Sequence, residues 1–210
     1  MTVRNERKLQ TRMSIMDAAL DLLEERRSFS SLSLREVARE AGLVPTAFYR
    51  HFGTMDELGL ALVQSTSERL RELMRQARSS AMHREVLIST SVQVFQVFVQ
   101  ANRREFGFAI RERFGGSAVI RHAIHREIER FILDLSADLL KFPMFSKMSQ
   151  ADLKMICNLL VSAVANAAGE FLEVQPEDLV RSSAYRDMLV KQLRLIILGS
   201  LAWSPKSISG

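Results

Sequence analysis

The sequence predicts an all-α protein: a small N-terminal helix-turn-helix module of three helices, then a larger helical domain. Three observations predict it. The 210 residues include only 9 glycines and 4 prolines, so turn signals are few and long helices are favoured. Apolar residues recur at helical spacing, as Ile15, Ala18, Ala19, Leu22 and Leu23 do at i, i+3, i+4, i+7 and i+8. Two capping boxes, Ser33-Leu34-Arg35-Glu36 and Thr54-Met55-Asp56-Glu57, mark helix starts. With 47% hydrophobic residues the chain can bury a core in both parts.

The first helix is predicted over residues 6–26. Arg4, Arg7 and Lys8 crowd its start, where cations oppose the helix dipole. They read either as a solvated basic end or as an arm that meets phosphates or enters a minor groove. Ser33 opens the second helix, whose apolar face is Leu34, Val37, Ala38 and Ala41. Gly42 ends it, because a residue of positive φ closes that turn. Pro45 suits the first position of a third helix over residues 45–51, with Phe48 and Phe52 inward and Gly53 as its stop. Two short helices joined by a tight glycine turn make a helix-turn-helix.

The second capping box starts a helix over residues 55–79, roughly 35 Å long at ~1.5 Å per residue. Its later half carries Arg69, Arg71, Arg75 and Arg78 with Glu68 and Glu72, an exposed face suited to a rigid connector. After a break near 79–84, five more helices are predicted near 85–101, 104–114, 118–141, 149–171 and 177–202. Asn102, Gly115-Gly116, Phe142-Pro143 and residues 173–176 separate them. The chain therefore divides into 1–54, a helix-turn-helix module; 55–203, a larger helical domain with 55–79 as its connecting helix; and 204–210, a flexible tail.

The net charge of +5 leans towards an anionic partner. One cysteine, Cys157, permits neither an internal disulfide nor a cysteine metal cluster and fits a reducing cytoplasm. The N-terminus lacks the apolar stretch of a signal peptide. The longest charge-free run, residues 155–169, is too short for a bilayer and contains Asn158, Ser162 and Asn166. The expectation is a cytoplasmic protein with no membrane insertion. No glycine-rich phosphate loop, His-Glu-x-x-His helix or Gly-x-Ser-x-Gly elbow is present, so no catalytic residue, cofactor or metal is assigned. His83, His122 and His125 lack a carboxylate spacing that compels a metal site, and Cys157 reads as a small core residue.

The segment Ser31-Leu32-Ser33-Leu34-Arg35-Glu36-Val37-Ala38-Arg39-Glu40-Ala41-Gly42-Leu43, followed by Val44-Pro45-Thr46-Ala47-Phe48-Tyr49-Arg50-His51-Phe52, strongly resembles the TetR family of repressors. The turn glycine and the Tyr-x-His-Phe ending carry the likeness. It covers about residues 7–62. It implies a homodimer with one helix-turn-helix in each major-groove half-site of a palindromic operator, half-sites about 34–36 Å apart. It also implies regulation rather than catalysis.

Carried over residue by residue, Arg35 becomes a base reader, because its fork donates twice to guanine O6 and N7. Thr46 brings a hydroxyl for phosphate or base, and Ala47 a methyl for thymine. Tyr49 and His51 stand where relatives donate to phosphates, contacts that fix register. Arg50 replaces an aromatic residue common there. Arg4, Arg7, Lys8, Arg12, Ser33 and Pro45 complete the implied DNA-binding set. Thr54 or Met55 stands where many relatives carry a phosphate-binding lysine, leaving backbone N–H groups for that role.

A narrower likeness covers residues 34–59, 73–78 and Ile110-Arg111-Glu112-Arg113 with Gly115 and Ser117. These resemble TetR-type repressors of unsaturated-fatty-acid synthesis, which sense acyl groups on coenzyme A or acyl carrier protein. The implied effector is a long-chain acyl-CoA. Its alkyl slot would be lined by Phe95, Phe98, Phe106, Ile110, Phe114 and Phe131, otherwise core residues. Arg111 and Arg113, with Arg103, Arg104 and Arg121, would meet its phosphates, or else form surface charge. For the dimer, apolar faces through Leu153, Ile156, Leu160, Val164 and Ala168, and through Leu189, Leu193 and Ile196, would pack as a four-helix bundle. Two other readings stand beside this one: a TetR-type sensor of another apolar ligand such as a drug or metabolite, and a helical ligand carrier or enzyme without DNA binding.

Overall fold

The computed structural model describes residues 3–24, 27–79, 84–175 and 177–203. The expected tail at 204–210, the first-helix end at 25–26, and His83 lie outside them. The described residues form helices and the turns that join them, with no strand: α1 (Val3–Glu24), a 3-10 turn (Phe29–Ser31), α2 (Leu34–Glu40), α3 (Pro45–Phe48), α4 (Met55–Ser79), α5 (Arg84–Ala101), α6 (Arg103–Phe114), α7 (Ala118–Leu139), α8 (Gln150–Glu173) and α9 (Leu179–Ala202). The all-α expectation holds, and the helices after α3 lie within a few residues of their predicted spans.

Local signals work as expected. The Ser33 side chain accepts the Glu36 N–H while the Glu36 carboxylate takes the Ser33 N–H at 2.9 Å, a complete capping box. Gly42 sits at φ 68, the left-handed conformation that a glycine adopts without strain. At α4, Thr54 accepts the Glu57 N–H at 3.1 Å, and Glu57 reaches the Gly53 N–H at 2.6 Å.

Packing divides the chain at a different place from the 54/55 boundary of the sequence reading. One compact unit joins Met1–Arg69 to Asn102–Glu127; the other joins Leu70–Ala101 to Ile128–Gly210. The first unit thus contains α6 and the start of α7, because these pack on α1 and α4. Ile15, Val37, Phe48, Leu58, Phe108 and Ile120 are buried in it. Gly59 permits the close approach of α4 to α7, since a Cβ there would collide with the Ile120 side chain.

In the second unit α5, α8 and α9 pack on one another. Val92, Phe95, Leu153, Ile156, Phe171 and Leu189 are buried there. A polar cluster crosses this core: Gln96 Nε2 donates to the Ser182 hydroxyl at 2.6 Å and carbonyl at 3.0 Å, and Gln100 donates to the same hydroxyl at 3.2 Å. Directional bonds of this kind fix helix register in an otherwise apolar contact. Arg78 on α4 pairs with Asp138 on α7 at 2.6 Å. α8 has 24 residues and a mean hydropathy of 1.5 in its most apolar window, long and apolar enough to cross a membrane by those measures. The sequence reading judged only the shorter charge-free run; Asp152, Lys154, Glu170 and Glu173 extend the helix beyond it.

Candidate nucleic-acid interface

Two short helices and the start of α1 supply the side chains. α2 begins at its capped serine, Gly42 turns the chain, and Pro45 opens α3 with the φ that a helix start requires. α3 is shorter than its predicted 45–51 span. Beyond Phe48 the chain tightens, with the Arg50 N–H on the Ala47 carbonyl and the His51 N–H on the Phe48 carbonyl at 2.8 Å. Phe48 and Phe52, four residues apart and joined by the Phe52 N–H on the Phe48 carbonyl, are both buried, their rings 5.8 Å apart.

The opposite side is left to solvent. Arg35, Thr46 and Arg50 are exposed, and Arg35 forms no ion pair among the described residues. Tyr49 is 60% exposed, its ring edge-on to Phe48 at 6.2 Å, so it is not a core aromatic. Ala47 is half-buried. The Ser33 hydroxyl is engaged by its cap, which leaves it a structural role first.

His51 is half-buried, and its Nδ1 is buried without a hydrogen-bond partner. Burial, and then the charges of Lys8, Arg12 and Arg50, push its pKa below the ordinary 6.5. The imidazole is therefore neutral at neutral pH, among cations that an anion would offset.

α1 is helical from Val3, so Arg4, Arg7 and Lys8 lie exposed on helical turns and do not form an extended arm. Arg12 differs from them. Its Nη1 donates to the His51 carbonyl at 2.8 Å and its guanidinium covers the Phe52 ring. It binds α1 to the end of the helix-turn-helix, a role the sequence reading missed because the partners are 39 residues away.

The ligand-slot residues are not brought together in one unit. Phe106, Ile110, Arg111, Arg113 and Phe114 fall in the first, and Phe95, Phe98 and Phe131 in the second. Phe95, Phe98 and Phe106 are buried, and Ile110, Arg113 and Phe131 half-buried. Phe114 is 77% exposed, beside the Arg113 guanidinium, and lines no interior. The arginines expected to meet phosphate are engaged by the protein itself: Arg111 donates to the Leu23 carbonyl, Arg121 to the Gly115 carbonyl, Arg104 pairs with Asp21, and Arg113 lies over the Phe114 ring.

Most of the residues expected on the dimer faces are already used within the chain. Leu153, Ile156, Leu160, Ala168, Leu189 and Leu193 are buried within the single chain, and Val164 and Ile196 are half-buried. Burial inside the second unit already accounts for the first six. The apolar residues left outside include Met155 and Leu159 on α8, and Leu179, Val180, Met188, Leu195, Leu198 and Leu201 on α9. The sign of this second face was in the sequence: from Leu193 to Leu198 every residue but Arg194 is apolar, so α9 is apolar on more than one side.

Residues 15–62 match the family model of bacterial regulatory proteins of the TetR family, and residues 83–196 match that of the Tetracyclin repressor-like C-terminal domain. Among solved structures, a TetR-like transcriptional regulator from Rhodococcus sp. RHA1 is similar at 20% identity and TM-score 0.67, over 90% of this chain and 96% of that one. A TetR-family regulator from Syntrophomonas wolfei superposes with TM-score 0.74 at 13% identity, over 90% and 95% of the chains. The fatty acid degradation regulator FadR from Bacillus halodurans does so with 0.66 at 18%, over 88% and 96%. At these identities the likeness is one of fold. The two family models together cover the helix-turn-helix module and most of the helical domain that follows it in sequence, and on that ground the chain belongs to the TetR family of bacterial regulatory proteins.

Proposed function

We propose that the protein is a homodimeric repressor that binds a palindromic operator and responds to long-chain fatty acyl-CoA, controlling unsaturated fatty acid synthesis in the cytoplasm. The observation that carries the DNA part is the solvent-facing group of Arg35, Thr46, Tyr49 and Arg50 around a buried Phe48–Phe52 pair. Two such heads, held by the outward apolar residues of α8 and α9, suit an isologous dimer on two half-sites. The acyl-CoA part rests on the likeness at residues 110–117, with a FadR of the same fold in support.

The partners of Arg104, Arg111 and Arg121 favour a second reading, a TetR-type sensor of an apolar ligand without phosphates. An operator titration with matched saturated and unsaturated C16 or C18 acyl-CoAs, with free coenzyme A as control, separates the two. Burial of each methylene contributes ~0.8 kcal/mol, so the effect on DNA binding should climb with chain length. Saturated and unsaturated chains should act unequally, each through its differential affinity for the two states. Identical curves with every addition leave the apolar-ligand reading in place.

A further inference from the structure

We propose that Glu112 on α6 sets the orientation of the helix-turn-helix, a positioning residue for operator recognition that acts through the turn feeding α2. Its side chain is 2% exposed. Oε1 accepts the backbone N–H of Phe29 at 3.1 Å, with the Ser28 hydroxyl at 3.5 Å. Oε2 is buried and has no hydrogen-bond partner. A carboxylate in this state costs the fold stability, and an apolar residue of similar volume would pack there at lower cost. Its use points to geometry.

The surroundings are built for the carboxylate. Gly116 stands at φ +54, and a Cβ on it would overlap the Glu112 carboxylate. The Phe29 ring lies on Phe108 of the same helix at 5.4 Å, and Gly59 on α4 lacks the Cβ that would crowd it. Ring contacts permit sliding; a hydrogen bond to a buried N–H does not, because it is directional.

From Phe29 the path to the reading surface is short and bonded at each step. The Leu32 N–H donates to the Phe29 carbonyl at 3.1 Å. Ser33 follows, capped by Glu36, and Glu36 also pairs with Arg27 at 3.1 Å. Arg35 lies inside this cap. Other polar ties of α6, among them Arg111 to the Leu23 carbonyl and Arg104 to Asp21, fix it to α1. Glu112 ties it by directional bonds to the segment entering α2.

The test uses the full chain, a duplex that the wild-type protein selects from a random library, and the same duplex with its spacer changed by one base pair. E112A should keep wild-type helix content and sedimentation. It should lose about tenfold in affinity for the selected duplex, the scale of one buried hydrogen bond to a charged group. Its discrimination between the two spacings should fall, with affinity for random DNA unchanged. E112Q, which retains an acceptor for the Phe29 N–H, should keep that discrimination. If E112A does not fold, E112D, whose carboxylate is one methylene too short to reach Phe29, is read the same way. Undiminished discrimination, or equal loss on selected and random DNA, overturns the proposal.

Discussion

The guanidinium of Arg12 lies 4.0 Å from the centre of the Phe52 ring, while Nη1 of the same group donates to the carbonyl of the preceding residue. One side chain thus holds α1 to the end of the recognition motif by a face contact and an edge contact. Arg12→Ala should lower stability by about 1–3 kcal/mol, read by urea unfolding. Arg12→Lys should recover only part, since an ammonium cannot stack and donate in one plane. A loss of DNA affinity with unchanged stability would make Arg12 a phosphate contact instead.

Arg4, Arg7 and Lys8 have the opposite character: exposed, on the first turns of α1. Deleting residues 1–8 should make the slope of log K against log salt shallower by up to about 0.9 per phosphate contact removed. An unchanged slope assigns them to the solvated surface.

Arg35 is exposed and without an ion pair in the described structure, so its fork is available for a base. Arg35→Ala should cost ~1–3 kcal/mol on the operator and relax preference at one base position. Competition binding across single-base operator variants measures this. A uniform loss over all variants assigns Arg35 to phosphate.

His51 links DNA binding to protons. Its folded pKa is lowered, so below about pH 6.5 the unfolded chain binds more protons than the folded one. Its contribution to stability is therefore present above the unfolded value and declines as pH falls towards the folded one. A phosphate beside His51, Lys8 and Arg50 would reverse the balance and draw a proton onto the imidazole. Operator affinity should rise as pH falls through that window, and His51→Gln should flatten both dependences. Equal pH profiles for the two proteins would remove His51 from the contact.

Leu189 and Leu195 are six residues apart on α9 and should fail in different ways. Leu189 is 1% exposed and Leu195 is 71% exposed. Leu189→Ala should cost about 2–5 kcal/mol of stability through the cavity it leaves. Leu195→Glu should leave the fold intact and shift sedimentation from dimer to monomer. A dimer that survives Leu195→Glu, and also Leu159→Glu on α8, would move the interface elsewhere.

The sequence by itself determined what depends on neighbours within one or two helical turns. The Ser33–Glu36 box, the left-handed Gly42, the Pro45 start and the inward pair Phe48 and Phe52 were all legible, because the physics of each is complete within a few residues. Helix periods were legible for the same reason, and with them the all-α class. Only the tertiary structure decided which apolar face points where. Leu153 and Leu195 are both apolar residues on helices, yet one is buried in the chain and the other is left outside. A period of 3.6 records that a residue avoids water; it does not record which surface removes it from water. Charged residues divide in the same way. Arg12, Arg111 and Glu112 look like surface charge until residues 39, 88 and 83 positions away are folded against them. Nothing within a helical turn encodes a hydrogen bond of that span, because its geometry comes from helices packing on one another.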